Sequence, residues 1–121
     1  MSRPFVTRAD LRLLLSRWQT GELPAASIHE WAEERFATDR WEPEDDVVNE
    51  VLGTLDMLDI NLVTIDDIPV LLKALEMGPG SLEGAAQLLE DHWKGISMPQ
   101  RANSLVTNPL YSSFAKAFWS R

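Results

Sequence analysis

The 121-residue chain contains no cysteine. That excludes a disulfide framework, a thiol nucleophile and every cysteine-ligated zinc or iron–sulfur centre, and it is compatible with a reducing cytoplasm. No stretch approaches the roughly 18 consecutive apolar residues that a membrane-spanning helix requires. The opening Met-Ser-Arg-Pro-Phe-Val-Thr-Arg-Ala-Asp lacks the apolar run and small-residue cleavage site of a secretory signal, so a cytoplasmic location is expected. Asn-Gly and Asp-Gly, the strongest hairpin signals, are both missing. Positive charge is scarce: 11 Lys and Arg against 19 Asp and Glu leave a net charge of −8, which argues against direct nucleic-acid binding through phosphate neutralisation. What remains, 45% apolar and 25% charged residues, is the balance of a folded globular chain. The length predicts one domain, residues 1–121.

The acidity is concentrated. Residues 1–29 carry four Arg against two acids and residues 68–121 five bases against four acids, whereas residues 30–67 carry thirteen acids against Arg35 and Arg40. The three segments therefore sum as +2, −11 and +1. Such asymmetry can steer a basic partner, although acids at helix starts also serve as caps.

Helix signals recur along the whole chain. Thr7 is placed as an N-cap with Asp10 at N3 and a Val6–Leu11 staple. Leu11, Leu14, Leu15 and Trp18 follow at helical spacing until Gly21 stops the helix. Pro24 opens a second helix in which Ser27 and Glu30 fit a capping box, with Ile28, Trp31, Ala32, Arg35 and Phe36 as its inward stripe. After a Trp41-Glu42-Pro43 break, Val47, Val48, Val51, Leu52, Leu55 and Leu58 fall on one side of a third helix. Thr64 starts a fourth with Asp67 at N3, and Ile65, Ile68, Leu71, Leu72 and Leu75 form its core face. Pro69 lies beyond the free positions of the first turn and predicts a late start or a slight kink.

Gly78-Pro79-Gly80 ends that helix. A fifth follows with Leu82, Ala85, Ala86, Leu89 and Trp93 inward, closed by Gly95. Residues 96–108 hold at most one helical turn around Pro99–Leu105, and Asn108-Pro109 starts a last helix with Leu110, Phe114, Ala117 and Phe118 on one face. Short links make consecutive helices antiparallel neighbours. The predicted fold class is all-α, an antiparallel helical bundle of four to six helices with short connections.

Catalytic patterns are wanting. The carboxylate-bridged metal sites of helical bundles use Glu-x-x-His pairs, because residues three apart share a face. Here Ala26 precedes His29 and Leu89 precedes His92 at that spacing. His92 near a helix end has a sufficient reason in the helix dipole, and neither histidine is expected to be a catalytic base. Asp39-Arg40-Trp41-Glu42-Pro43 breaks the spacing of an EF-hand loop. No phosphate-cradling glycine loop or Gly-x-Ser-x-Gly elbow occurs. No enzyme activity, metal or cofactor is expected.

The acidic faces point elsewhere. The apolar stripe of the second helix leaves Glu30, Glu33 and Glu34 toward solvent. The third carries Asp46, Asn49, Glu50, Gly53 and Met57 opposite its core face. Glu30–Glu34 and Asp46–Glu50 are like-charge pairs four apart, each costing roughly 0.2–0.5 kcal/mol of helix stability. First-turn stabilisation by the helix dipole covers Glu44, Asp45, Asp46, Asp66 and Asp67. It covers Glu33, Glu34 and Glu50 less easily, so the patch is either a binding surface or a solubility feature. Trp41, in a loop beside the acidic run, is either an interface anchor or a lid over the bundle end.

The stretch Leu-Leu-Leu-Ser-Arg-Trp-Gln-Thr-Gly-Glu-Leu-Pro-Ala-Ala-Ser-Ile-His-Glu-Trp-Ala at residues 13–32 resembles the opening helical hairpin of small acidic bacterial immunity proteins. These are the colicin D-type group and the immunity proteins of contact-dependent inhibition. The similarity spans about residues 9–60, and the part after Gly78 has no counterpart in it. The resemblance implies a cytoplasmic inhibitor that covers the basic substrate-binding surface of a nuclease toxin domain. Glu30, Glu33, Glu34, Asp46 and Glu50 would then supply the electrostatic face and Trp41 a desolvated anchor. The alternative is an interaction or regulatory module without inhibitory activity.

Overall fold

The computed structural model describes residues 3–119. Among them the chain forms seven α-helices: α1 (Arg8–Gln19), α2 (Ala25–Glu33), α3 (Asp46–Asp56), α4 (Ile68–Leu75), α5 (Leu82–Lys94), α6 (Met98–Leu105) and α7 (Ser112–Trp119). A 3-10 turn, Ile65–Asp67, leads into α4. The protein is helical, as its periodicity predicts, with more helices than the four to six expected. The excess comes from α6, a two-turn helix that begins one residue before Pro99 and so places the proline where no intrahelical donor is needed.

Local signals account for most boundaries. Thr7 and Asp10 form a reciprocal capping box at the start of α1, and Gly21 leaves the helix at φ 82°. Thr64 and Asp67 make the same box on the 3-10 turn. Pro69 then sits in the first turn of α4, which is the late start its position demands. α2 departs from expectation. It starts at Ala25 with Pro24 at the cap and no side-chain capping bond, so Ser27 and Glu30 lie inside the helix and form no box. The amide donors of Ser27 and Ile28 are already taken by the Pro24 carbonyl.

A single apolar cluster draws on all seven helices and is filled most heavily by Leu11, Leu15, Ile28, Leu52, Leu55, Leu71 and Leu75. α3 lies at its centre, packing on α1, α2, α4 and α5, while α6 and α7 pair with each other. Two residues expected in the core are outside it: Ile65 is 45% exposed and Leu82 39%. Both stand at the very start of their elements, where the chain has not yet turned its apolar face inward. On α7 the buried positions are Ala115 and, just before the helix, Tyr111, rather than Ala117. The helix begins three residues later than Asn108-Pro109 suggests, which rotates its inward face.

One feature has no precedent in the hydropathy pattern. Residues Phe5–Val6 (β1) and Glu42–Pro43 (β2) pair as a two-residue parallel ladder, Phe5 opposite Glu42 and Val6 opposite Pro43. The amides of Glu42 and Glu44 donate to the carbonyls of Pro4 and Val6 at 3.0 and 2.9 Å. The ladder pins the N-terminus to the segment that enters α3.

Leu52 is fully enclosed on the central helix. Leu52→Ala is expected to lower stability by roughly 2–5 kcal/mol through the cavity it leaves, measured by urea denaturation; a loss below about half a unit would mean that α3 does not face the core as described.

Candidate functional site

Much of the middle-third acidity is spent inside the molecule. Glu42 pairs with Arg3, and Glu44 accepts from the Arg8 amide at 2.7 Å. Asp45 caps α3 through the Val48 amide and receives the Arg8 guanidinium at 2.8 Å. The same guanidinium donates to the Leu75 carbonyl at the end of α4. Asp46, expected on the partner-facing surface, has one carboxylate oxygen accepting from both its neighbour's amide, Val47, and the Gly80 amide, at 2.9 and 3.0 Å. It fastens the Gly78–Ser81 turn to α3, a structural duty that removes it from the acidic face.

The α2 carboxylates behave differently. Glu30, Glu33 and Glu34 are all exposed, as the helical pattern predicts. Glu33 and Glu34 line a surface cleft with Arg35, Asp39, Arg40 and Trp41. Arg35 organises that cleft. Its guanidinium lies between the rings of Trp31 and Trp41, 4.2 and 4.6 Å from their centroids, and donates to the Trp31 carbonyl at 3.0 Å. Glu34 flanks it at 3.3 Å. Stacking of a cation on two aromatic faces is favourable on each face. Trp41 is thus half-buried against the core and bound to Arg35, not a free-standing anchor.

Glu50 is separated from these groups. It lines a groove of about 590 Å³ over the outer face of α3. The apolar walls are Phe36, Met57, Val63, Trp93 and Met98, brought from the turn after α2, the end of α3, the segment before α4, the end of α5 and the start of α6. Asn49, Thr54 and Asn61 add polar atoms beside Glu50. Gly53 forms part of the floor: a Cβ there would stand 3.0 Å from the Phe36 ring, so the glycine is what lets that ring lie against the helix. The six residues singled out from the sequence therefore divide. Glu33, Glu34 and Trp41 share the cleft, Glu50 belongs to the groove, Glu30 is exposed on α2 outside both, and Asp46 is half-buried and tied to the turn at Gly80.

No family model, curated protein or solved structure matches this chain. The functional reading therefore rests on the chemistry of its surfaces. Among the described residues no group of three or more His, Asp or Glu is arranged to hold a metal ion. His29 gathers two carboxylates, its Nε2 lying 3.3 Å from Asp59 and 3.6 Å from Glu33. Burial pushes the nearby Asp56 carboxyl above its ordinary value; the charge of His29 opposes the shift, and Glu33 and Asp59 reinforce it.

Sequence reasoning placed Asp67 correctly as a cap and missed the rest of its role. The side chain is fully buried. Oδ2 accepts from the Thr64 amide at 2.8 Å and from Arg101 of α6 at 2.7 Å, and His92 of α5 lies 2.8 Å from Oδ1. Arg101 also donates to the Leu62 carbonyl, and the Tyr111 hydroxyl donates to the Val63 carbonyl at 2.5 Å. These bonds hold Leu62 in the left-handed region at φ 55°, where a side chain is disfavoured by about 1–2 kcal/mol. The network touches the groove wall at two points, through the Val63 carbonyl and through the edge contact of His92 with Trp93, whose ring centroids are 4.9 Å apart. Partners 25 and 34 residues away leave no periodic trace in a sequence.

Removing the Asp67 carboxylate leaves Arg101 buried without its counter-charge. Asp67→Ala is expected to cost about 3–5 kcal/mol, read from chemical denaturation, and a loss under about 1 kcal/mol would show that the network is dispensable. Burial, reinforced by the Asp67 and Asp59 carboxylates against the opposing charge of Arg101, raises the pKa of Tyr111, the chain's one tyrosine, above the ordinary 10.0. The unfolded chain releases this proton near its ordinary value while the folded chain keeps it, so stability falls as pH rises through about 10. Tyrosinate absorbance near 295 nm is expected to stay absent at that pH and to appear only with loss of the native circular dichroism; a tyrosinate signal in the folded protein contradicts the buried hydroxyl.

Proposed function

We propose that this protein is a toxin-neutralising inhibitor of the immunity type, which binds a basic partner, a nuclease toxin domain, through the acidic surface of α2 and the turn that follows it. The observation that carries the reading is the exposure of Glu30, Glu33 and Glu34 on one helix and its end, with the neighbouring Arg35 drawn into the Trp31–Trp41 stack. A nuclease domain needs a cationic surface to hold phosphate. Exposed carboxylates on an inhibitor accelerate encounter with such a surface and make it salt-sensitive. The resemblance of residues 9–60 to acidic immunity proteins supports the same partner class.

In this reading the helices, joined by short links into an antiparallel bundle, serve as a rigid cytoplasmic scaffold with no catalytic step and no cofactor of its own. Trp41 and Arg35 form the prearranged centre of the contact, Glu33 and Glu34 its charged rim, and Glu30 extends the field along α2. Glu50 contributes from α3, and Asp46 acts only by fixing the turn at Gly80. The internal use of Glu42, Glu44, Asp45 and Asp46 favours the second reading, an interaction module without inhibitory activity, because it thins the acidic field.

Triple reversal, Glu30→Lys, Glu33→Lys and Glu34→Lys, is expected to leave helicity and melting nearly intact while slowing association with a cognate nuclease toxin domain, to be sought beside the gene, by about tenfold or more at low salt. Unchanged association removes the α2 surface from the contact. Co-expression with that toxin domain separates the two readings: survival conferred by the wild-type protein and lost in the triple variant supports inhibition, and failure of the wild type to protect leaves only the interaction module.

A further inference from the structure

We propose that the groove over α3 is a binding site for a small organic cation with an apolar aromatic body, an arylalkylammonium in chemical class. The inference shares Glu50 with the toxin reading but does not rest on it, because the groove excludes the α2 carboxylates and draws its walls from α3, α5, α6 and the segments after α2 and α3.

Three features of the lining converge on that ligand. First, Glu50 is its only ionised group, and no Lys or Arg borders it. Among the described residues the Glu50 carboxylate makes no hydrogen bond or ion pair; the adjacent Thr54 hydroxyl is turned to the Glu50 backbone carbonyl at 3.0 Å. Second, the walls are aromatic and thioether side chains, Phe36, Trp93, Met57 and Met98, which pack against a flat apolar body and favour a nearby cation through their ring faces. Third, the volume of about 590 Å³ falls within the range of small-molecule pockets, roughly 300–1,000 Å³.

The alternatives fit less well. An anion meets Glu50 with no compensating cation in the lining. A neutral apolar ligand strips water from the carboxylate and returns nothing, a cost of order 1–3 kcal/mol or more. An ammonium group repays that desolvation with a charge-assisted hydrogen bond, while its aromatic body covers Trp93 and Phe36. The amides of Asn49 and Asn61 remain at the mouth for a ligand's polar substituent.

The test is a two-dimensional amide NMR titration of the full chain with phenethylammonium, its neutral counterpart phenethyl alcohol, the anion 3-phenylpropanoate, and Nα-acetyl-lysinamide, which carries an ammonium without the aromatic ring. Shifts are expected to concentrate at residues 49–57, the Trp93 indole and Met98, with phenethylammonium binding about tenfold more tightly than each of the others. Glu50→Gln should abolish the preference over the alcohol. Met57→Lys, at a partly exposed position, places an ammonium within the groove and should abolish binding with the far-ultraviolet circular dichroism unchanged. Equal response to the alcohol or to the lysinamide, shifts confined to the acidic surface of α2, or undiminished binding in both variants would each overturn the assignment.

Discussion

A carboxylate with no access to water must find its partners within the protein, and Asp67 finds them in three places at once. It caps the turn before α4, meets His92 on α5 and takes a charge-assisted bond from Arg101 on α6. Few other arrangements of these segments satisfy one buried charge so fully, and an unmet buried charge costs more than most single packing defects. The bond to Arg101 carries the constraint onward to the Leu62 carbonyl, and the Tyr111 hydroxyl secures the next carbonyl along. α6 and α7 pack chiefly on each other, so this polar junction is what registers them against the rest of the core.

Arg8 is the counterpart at the opposite charge. It joins the start of α1 to the cap of α3 and to the last carbonyls of α4. Together with the two-residue ladder it explains why the residues before α3 are so acidic: Glu42, Glu44 and Asp45 each meet a group of the N-terminal segment. The acidic surface is narrower than composition implies, because Glu42, Glu44, Asp45 and Asp46 are each engaged by another part of the chain.

The apolar periodicity carried the helical class and the core face of α3, and most helix starts were legible because capping boxes and proline positions are local chemistry written in adjacent residues. Seven-residue windows around Thr7 and Thr64 contain everything needed to read those caps. The parallel ladder was not readable, since two residues are too few to show an alternating pattern. Ser27 and Glu30 misled for the opposite reason: a valid local signature lost to an earlier start set by Pro24. At the candidate site, exposure of the α2 carboxylates followed from helical geometry, and the polar face of α3 was legible as Asp46, Asn49, Glu50, Gly53 and Met57, of which Asp46 turns instead to the Gly80 amide. Its conversion into a groove required Phe36, Trp93 and Met98 from distant elements, which only tertiary packing brings together. The same limit hid the stacking of Arg35 on Trp41, six residues apart across an irregular turn.

The spacing of the Asp67 partners also has a bearing on biosynthesis. A chain leaving the ribosome N-terminus first exposes Asp67 well before its partners His92 and Arg101, which follow 25 and 34 residues later. Until Arg101 and Tyr111 emerge, the left-handed turn at Leu62 is held only by its local backbone bonds, from the Leu62 amide to Asp59 and from the Val63 amide to Leu58. α1, α2 and α3 can meanwhile close around the ladder and Arg8, whose bond to Asp45 spans 37 residues already translated. The groove, whose far wall belongs to α5 and α6, is accordingly completed late, with the α6–α7 pair closing after it.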